Sequence, residues 1–517
     1  MKSKQLPCYF IPSLADVIFL FILLLLALFQ GNSLLHDGDT GYHIRAGEFI
    51  IETWSVPHQD IFSFHTPPLP WTAHEWLSEV IMAIVHQSFG LTGVVVFFSG
   101  LIALIYYLMF RQLRKDDGNI FAIVVIVILV FATSHLHWLA RPHIFSLLLL
   151  VIWYRILDNY EYRGINQFYL LPPLMVLWVN LHGGYITGLI LLGIYCAGNL
   201  LRCCQNDAVA RSEAYIKFRQ FFIFFCGCLA ATLINPYGYR ILLFPFNLVG
   251  NKYLMDHVNE FLSPNFHEPL IFKYLLLLSI AVFACSRKRL NIIELTLVLF
   301  FTNMALFSIR HVTLFAIIVA PILLKRIDEL VGCDEGMLAR FYKQRAAGIE
   351  EIDGAAKGFF WPLAGMTLVI TLAVQGNVEF KFDENAKPVA AVEFLKQEKI
   401  LGNMFSNDEF GDYIIYAAWP EYRVFIDGRS DMYGEDRIKE YYKVSKAEPG
   451  WEQILDKYEI NLVMYDANST LSHYLLNANG WGLIYVDKVA HIYVRETVQF
   501  QALLDKYSNV VPLPPAR

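Results

Sequence analysis

Charge is what this 517-residue chain has least of. Asp, Glu, Lys and Arg make up only 17% of it, where a soluble protein of this length carries about a quarter, and its mean hydropathy is +0.43. The shortage excludes a soluble fold over the whole length. A net charge of −6 gives no basic footprint, which excludes nucleic acid as the main partner. Cysteine is scarce where a disulfide would form. Of the eight cysteines, none lies beyond residue 376 or in a loop expected outside the membrane, so no structural disulfide is expected there. There is no CxxC metal pattern and no convincing internal repeat.

The apolar excess is uneven. Residues from about 14 to 375 hold repeated apolar runs, and those after about 376 read as an ordinary soluble domain. About eleven runs have the length a membrane helix needs. They lie near 14–30, 78–110 (one span, preceded by a surface helix), 119–135, 144–158, 168–181, 184–201, 218–234, 270–285, 291–307, 311–325 and 358–375. The first is expected to be a retained anchor rather than a cleaved signal, since no small-x-small cleavage site follows it. With the N-terminus inside, about 20 basic residues fall on cytoplasmic segments and about 6 on outer ones, as the positive-inside rule requires. An odd number of spans puts the C-terminal domain outside. The expected domains are therefore 1–375, a helical membrane domain with a long first outer loop at 31–77, and 376–517, a small extracytoplasmic (periplasmic) α/β domain. The expected location is the cytoplasmic (inner) membrane.

Polar residues of one kind gather on the expected outer side. The first outer loop, HDGDTGYHIRAGEFI onward, carries Asp37, Asp39, His43, Arg45 and Glu75. The others bring His135, His137 and Arg141, then His182, then Asn235, then Arg310. The inner loops carry Lys and Arg but almost no His. Ionisable groups beside hydrocarbon are expensive and mark functional positions. Arginine forks onto phosphate oxygens and histidine adds donors, while a carboxylate serves as general base or as a ligand for a hard divalent cation. For single loops a plain alternative stands: Asn235-Pro236-Tyr237-Gly238 is a turn signal, and the tryptophans of these loops fit an interfacial belt.

Asp39-Thr-Gly-Tyr42-His43-Ile-Arg45 resembles the Asp-x-x-Tyr-His-x-Arg element that follows the first span of oligosaccharyltransferase catalytic subunits. Those belong to the GT-C class of membrane glycosyltransferases, with protein O-mannosyltransferases and aminoarabinose transferases. The runs VPHQDIFSF, PWTAHEWLSEV and WPEYRVFIDGRSDMYG are similar to a bacterial group of GT-C-like membrane proteins. The resemblance implies a GT-C-like helical bundle and an inverting sugar transfer from a polyprenyl-phosphate-linked donor to a lipid, glycan or protein acceptor at the outer face. It implies Asp39 as catalytic carboxylate with Asp37 beside it. The donor phosphate is then expected on some of His43, Arg45, His135, His137, Arg141, His182 and Arg310, and the acceptor rim on Glu75, Asn235, Asp427 and Arg429. Asp37 and Asp39 form a D-x-D pair that could hold Mg or Mn. His135-x-His137 stands where oligosaccharyltransferases have a second acidic pair, which puts that metal site in question. The Trp-Trp-Asp acceptor motif is absent.

Beyond residue 388 strands alternate with helices, the pattern of a small α/β domain. YRVFIDGR is expected as a strand ending in a turn at Asp427-Gly428-Arg429. Two further functions remain open from the residues alone. A transporter or flippase of lipid-linked or anionic solutes predicts polar residues at mid-membrane and inverted repeats. A non-catalytic envelope assembly protein predicts that Asp39 is dispensable.

Overall fold

The computed structural model describes residues 10–116, 119–332, 337–356 and 358–512. Lys2, Lys4, Cys8, Cys333 and Lys357, used above for topology and redox state, lie outside these, as do the side chains of Arg340 and Lys343. The chain divides into two compact units: Met1–Gly31, Val95–Trp138 and Pro142–Glu379 form the first, and Asn32–Val94, Leu139–Arg141 and Phe380–Arg517 the second. The first outer loop, expected with the helical domain, thus groups with the C-terminal segment.

The first unit is helical. Its helices open on the signals their sequences carry: a capping box at Ser13 and Asp16 starts Leu14–Leu24, and one at Asn291 and Glu294 starts Ile292–Phe307. Among the described residues four helices are long and apolar enough to cross a membrane: Trp76–Leu113, Ile120–His137, Tyr185–Arg202 and Ala208–Ala231. Six shorter apolar helices accompany them, among them Leu14–Phe29, Ile271–Cys285 and Ile292–Phe307. Being of 10–17 residues, these fall short of the roughly 20 that a straight crossing needs. These apolar helices are those of a membrane protein, and together they cover most of the apolar runs expected from the sequence. Gly90, at φ 63° and ψ −164°, breaks the long Trp76–Leu113 helix, which separates its first turns from the span as the sequence predicts.

Large rings fill the core of this unit, and two of its buried indoles have their N–H groups satisfied, as burial demands. Trp153 Nε1 donates to the Gly188 carbonyl at 3.0 Å and Trp178 Nε1 to Ser146 Oγ at 2.7 Å. Buried charges of this unit are paired between helices. Glu161 accepts from Arg202 at 2.6 Å and Asn199 at 2.7 Å, and Glu294 accepts from Arg326 at 2.6 Å.

The second unit is built on a four-stranded sheet ordered β1-β2-β4-β3. β1 (Asn403–Phe405) runs parallel to β2 (Ile460–Asp466). β4 (Ala490–Arg495) is antiparallel to both β2 and β3 (Trp481–Val486). Helix Val389–Glu398 precedes β1, and helices Asp408–Ala418 and Ser430–Ser445 lie between β1 and β2 in sequence. One expected strand is not a ladder. The segment Tyr422–Arg429 makes only isolated bridges, from Val424 to Met404 and to Ser63. Its extended backbone wedges between β1 and the first loop instead of extending the sheet. Helix Asp39–Thr53 packs along Asp408–Ala418 with no room for a side chain at the crossing: a methyl on Gly41 would lie 2.9 Å from the Asp412 carbonyl oxygen.

Candidate active site

Asp39 opens the Asp39–Thr53 helix, where a carboxylate meets the positive end of the helix dipole. Gly38 has no side chain to cap with. Asp37 supplies the cap, its Oδ1 accepting the Asp39 amide at 2.9 Å. The D-x-D spacing thus has a local structural reason.

Arg141 joins the two carboxylates. Its Nη1 donates to Asp37 Oδ2 at 2.6 Å, and its Nη2 contacts Asp39 Oδ2. Backbone bonds fix the short segment that carries it. The Ala140 amide donates to the Leu34 carbonyl at 2.8 Å, and Thr40 Oγ1 donates to the Ala140 carbonyl at 3.1 Å. The arginine is therefore delivered to the helix N-terminus by main-chain pairing.

The other oxygen of Asp39 faces the Asp427-Gly428-Arg429 turn. A methyl placed on Gly428 would overlap Asp39 Oδ1 and lie 3.0 Å from Asp412 Oδ2, so only glycine permits this approach. Asp412 is 2% exposed, and its Oδ1 accepts the Gly428 amide at 2.9 Å. Burial, then the charges of Asp39 and Asp427, push its carboxyl well above the usual range. Tyr42, one turn along, is raised well above its ordinary value by burial and then by Asp39.

Arg429, expected at the acceptor rim, is 3% exposed and holds the turn together. It donates to Asp427 through Nε at 2.8 Å and Nη2 at 2.6 Å, and to Asp60 Oδ1 through Nη2 at 2.7 Å. Its guanidinium lies 4.5 Å from the Trp71 ring centroid and 4.9 Å from that of Phe62. Among the described residues Nη1 has no hydrogen-bond partner. Burial opposes its charge, yet Asp427 and Asp60 keep its pKa well above ordinary. Tyr433 donates to Asp427 Oδ2 at 2.7 Å, completing that carboxylate's shell.

Two expected phosphate ligands have partners close by. His43 is 1% exposed; its Nδ1 lies 3.2 Å from Glu79 Oε1 and its Nε2 lies 3.7 Å from Glu75 Oε2. Arg45 donates through Nη1 to Glu48 at 2.5 Å and through Nε to the Tyr416 carbonyl at 2.8 Å, stapling its helix to Asp408–Ala418.

The remaining candidates belong to the helical unit. His135 lines an apolar cavity of about 320 Å³ with Phe131, Leu136, Pro269, Phe272 and Val312. His137 Nδ1 is 3.2 Å from Thr313 Oγ1. His182 Nδ1 accepts the Gly184 amide at 2.8 Å and lies 2.8 Å from Ser146 Oγ. Arg310 lies over the Phe261 ring at 5.1 Å with Glu260 at 3.9 Å. Asn235 closes its own turn, with its side chain on the Thr232 and Gly238 carbonyls at 2.6 and 3.1 Å. This is the turn role its sequence context allows.

Of the expected site residues, the second unit brings Asp37, Asp39, Arg141 and the Asp427–Arg429 turn into one cluster. A divalent ion at the D-x-D pair would need further ligands. Among the described residues no group of three or more His, Cys, Asp or Glu is placed to hold one, and the pair's outward oxygens already face Arg141. No step is therefore routed through a metal. Sequence reasoning passed over Asp412; its one signal was a carboxylate on the apolar side of FGDYIIYAAW.

The sequence matches no family model and no curated protein. The fold is similar to that of the Archaeoglobus fulgidus oligosaccharyltransferase in its apo form, with a TM-score of 0.57 and 12% identity, covering 94% of this chain and 74% of that one. It is equally similar to the oligosaccharyltransferase AglB of that organism in complex with an inhibitory peptide and a dolichol-phosphate: TM-score 0.56, 12% identity, 93% of this chain and 74% of that one. The chain shares the fold of these two oligosaccharyltransferase structures.

Proposed function

We propose that the protein is a GT-C glycosyltransferase that moves a sugar from a polyprenyl-phosphate-linked donor to an acceptor hydroxyl or amide at the outer face of the membrane. The observation that carries this is the fold similarity over 94% of the chain, joined to an acidic cluster centred on the residue the sequence resemblance selects. The second similar structure holds a dolichol-phosphate and a peptide, which supports a lipid-linked donor in general terms.

Asp39 is the base in this proposal. Arg141 on Oδ2 and the Asp37 cap hold its carboxylate at the helix N-terminus, leaving Oδ1 toward the Gly428 turn. Asp39 takes the acceptor proton as the acceptor oxygen or nitrogen attacks the anomeric carbon from the face opposite the phosphate. The glycosidic bond to phosphate breaks, its electron pair leaves with the polyprenyl phosphate, and the configuration inverts. Arg141 keeps Asp39 ionised before the transfer and offers positive charge near the reacting centre. Arg429 and Asp427 shape the floor rather than touch the donor.

The test is Asp39→Asn, assayed for transfer of labelled sugar from polyprenyl-phosphate donors in membranes, with folded yield measured alongside. A fall of about 10²-fold or more is expected; full transfer by a well-folded variant refutes the assignment.

A further inference from the structure

Asp412 is the one carboxyl of the acidic cluster that no cation reaches. Arg141 is taken by Asp37 and Asp39, and Arg429 by Asp427 and Asp60. Among the described residues neither a lysine nor an arginine pairs with Asp412, whose Oδ1 accepts the Gly428 amide. Its Oδ2 and Asp39 Oδ1 border the same point above the Gly428 α-carbon. Two like-charged carboxylates that close, one of them 2% exposed, cannot both be ionised without large cost.

We propose that Asp412 is a positioning residue for Asp39: it carries the proton of a two-carboxyl pair and, as a neutral acid, directs its Oδ2 hydroxyl toward Asp39 Oδ1. Asp39 is then the ionised partner, gripped on one oxygen by the guanidinium and on the other by an O–H donor. The inference rests on Asp39 being the reactive carboxylate, but the location of the proton stands or falls separately.

The groups facing the pair come from every element packed on it. Asp37, Asp39 and Tyr42 lie on the first-loop helix and its cap, and Arg141 on the segment beside it. Asp427 and Arg429 flank the turn, and Asp408 and Glu409 precede Asp412 on its own helix. Desolvation followed by the charge of Glu409 raises the Asp408 carboxyl. The net field at Asp412 is negative, and burial acts in the same direction. The sign of the pH effect follows. A carboxyl whose folded pKa is raised contributes stability that is complete below its ordinary value of 3.8 and is lost as pH rises through the folded value.

The test uses the full-length protein in detergent, with aspartate carboxyls isotopically labelled. Infrared spectra near neutral pH should show a protonated-carboxyl stretch in the wild type that is lost in Asp412→Asn. In thermal unfolding across pH, the wild type should lose stability toward alkaline pH, and Asp412→Asn should flatten that slope. In transfer assays Asp412→Leu should lower kcat by about 10²-fold with donor KM little changed, and Asp412→Asn, which keeps an N–H donor, should restore most of that. A missing protonated band, or one that persists in Asp412→Asn, overturns the pair whatever the transfer result. A band and slope as expected with no detectable transfer in any form leave the pair standing and overturn the glycosyltransferase function. Full kcat in Asp412→Leu overturns the positioning role.

Discussion

Replacing Arg429 with Met keeps the apolar stem and removes the guanidinium from between two buried carboxylates. Asp60 keeps the amides of Phe62 at 3.1 Å and Ser63 at 3.0 Å. Asp427 keeps the Tyr433 hydroxyl and the residue-429 amide at 3.0 Å. Neither keeps a counter-charge. Removing one partner from a buried pair costs about 3–5 kcal/mol. The retained donors favour the low end, and loss of the contact with Trp71 and Phe62 adds about 1 kcal/mol, so a destabilisation of about 4 kcal/mol is expected. The assay is denaturant unfolding followed by tryptophan emission, to which Trp71 reports directly. The pH dependence should change sign as well. In the wild type, burial raises Asp60, but Arg429, Ser63 and the Phe62 amide outweigh it and hold the carboxyl below 3.8. Its stabilisation is present above 3.8 and lost as pH falls through the lower folded value. Without Arg429 burial prevails, the carboxyl rises, and stability is instead lost as pH increases above that range. Adding Asp60→Asn to Arg429→Met should recover about 0.5–3 kcal/mol. A cost under about 1 kcal/mol, or an unchanged pH slope, would refute the reasoning.

Gly47→Val places a side chain on the Glu79 carbonyl, which a Cβ at this position would already overlap; a loss of about 1–3 kcal/mol in unfolding free energy is expected. Arg45→Met removes the staple to Tyr416 and Glu48 and should cost about 1–2 kcal/mol. Donor KM should stay within twofold or so, and a tenfold rise in KM with no change in stability would return Arg45 to the phosphate.

The strongest local signals were legible in the sequence. The Asp37–Asp39 pair and the alternation of strands and helices beyond residue 388 are read from charge and periodicity; the segments NMFSN, NLVMYD, WGLIYVD and AHIYVRE carry the strands at 403–405, 460–466, 481–486 and 490–495. What was not legible depends on contacts across hundreds of residues. Nothing in YRVFIDGR says that its backbone will bridge Ser63 and Met404 rather than join a ladder. Nothing near Asp60 announces that its counter-ion is Arg429. Asp412 looks like one polar position on an amphipathic helix until Gly428 and Asp39 are placed against it. The apolar runs themselves were legible: those expected at 270–285, 291–307 and 358–375 are the helices Ile271–Cys285, Ile292–Phe307 and Phe360–Val374.

The discontinuous make-up of the second unit has a consequence for how such chains can be cut and recombined. Residues 380–517, separated from 32–94, would expose Arg429 without Asp60, Val424 without Ser63 and the Tyr416 carbonyl without Arg45. They would also lose the amide bond from Phe380 to Thr92 Oγ1. The C-terminal segment is thus no interchangeable cassette. A chimaera between relatives should be viable only when both stretches are inherited from the same parent, and crossovers placed between them should pair mismatched halves of one folding unit.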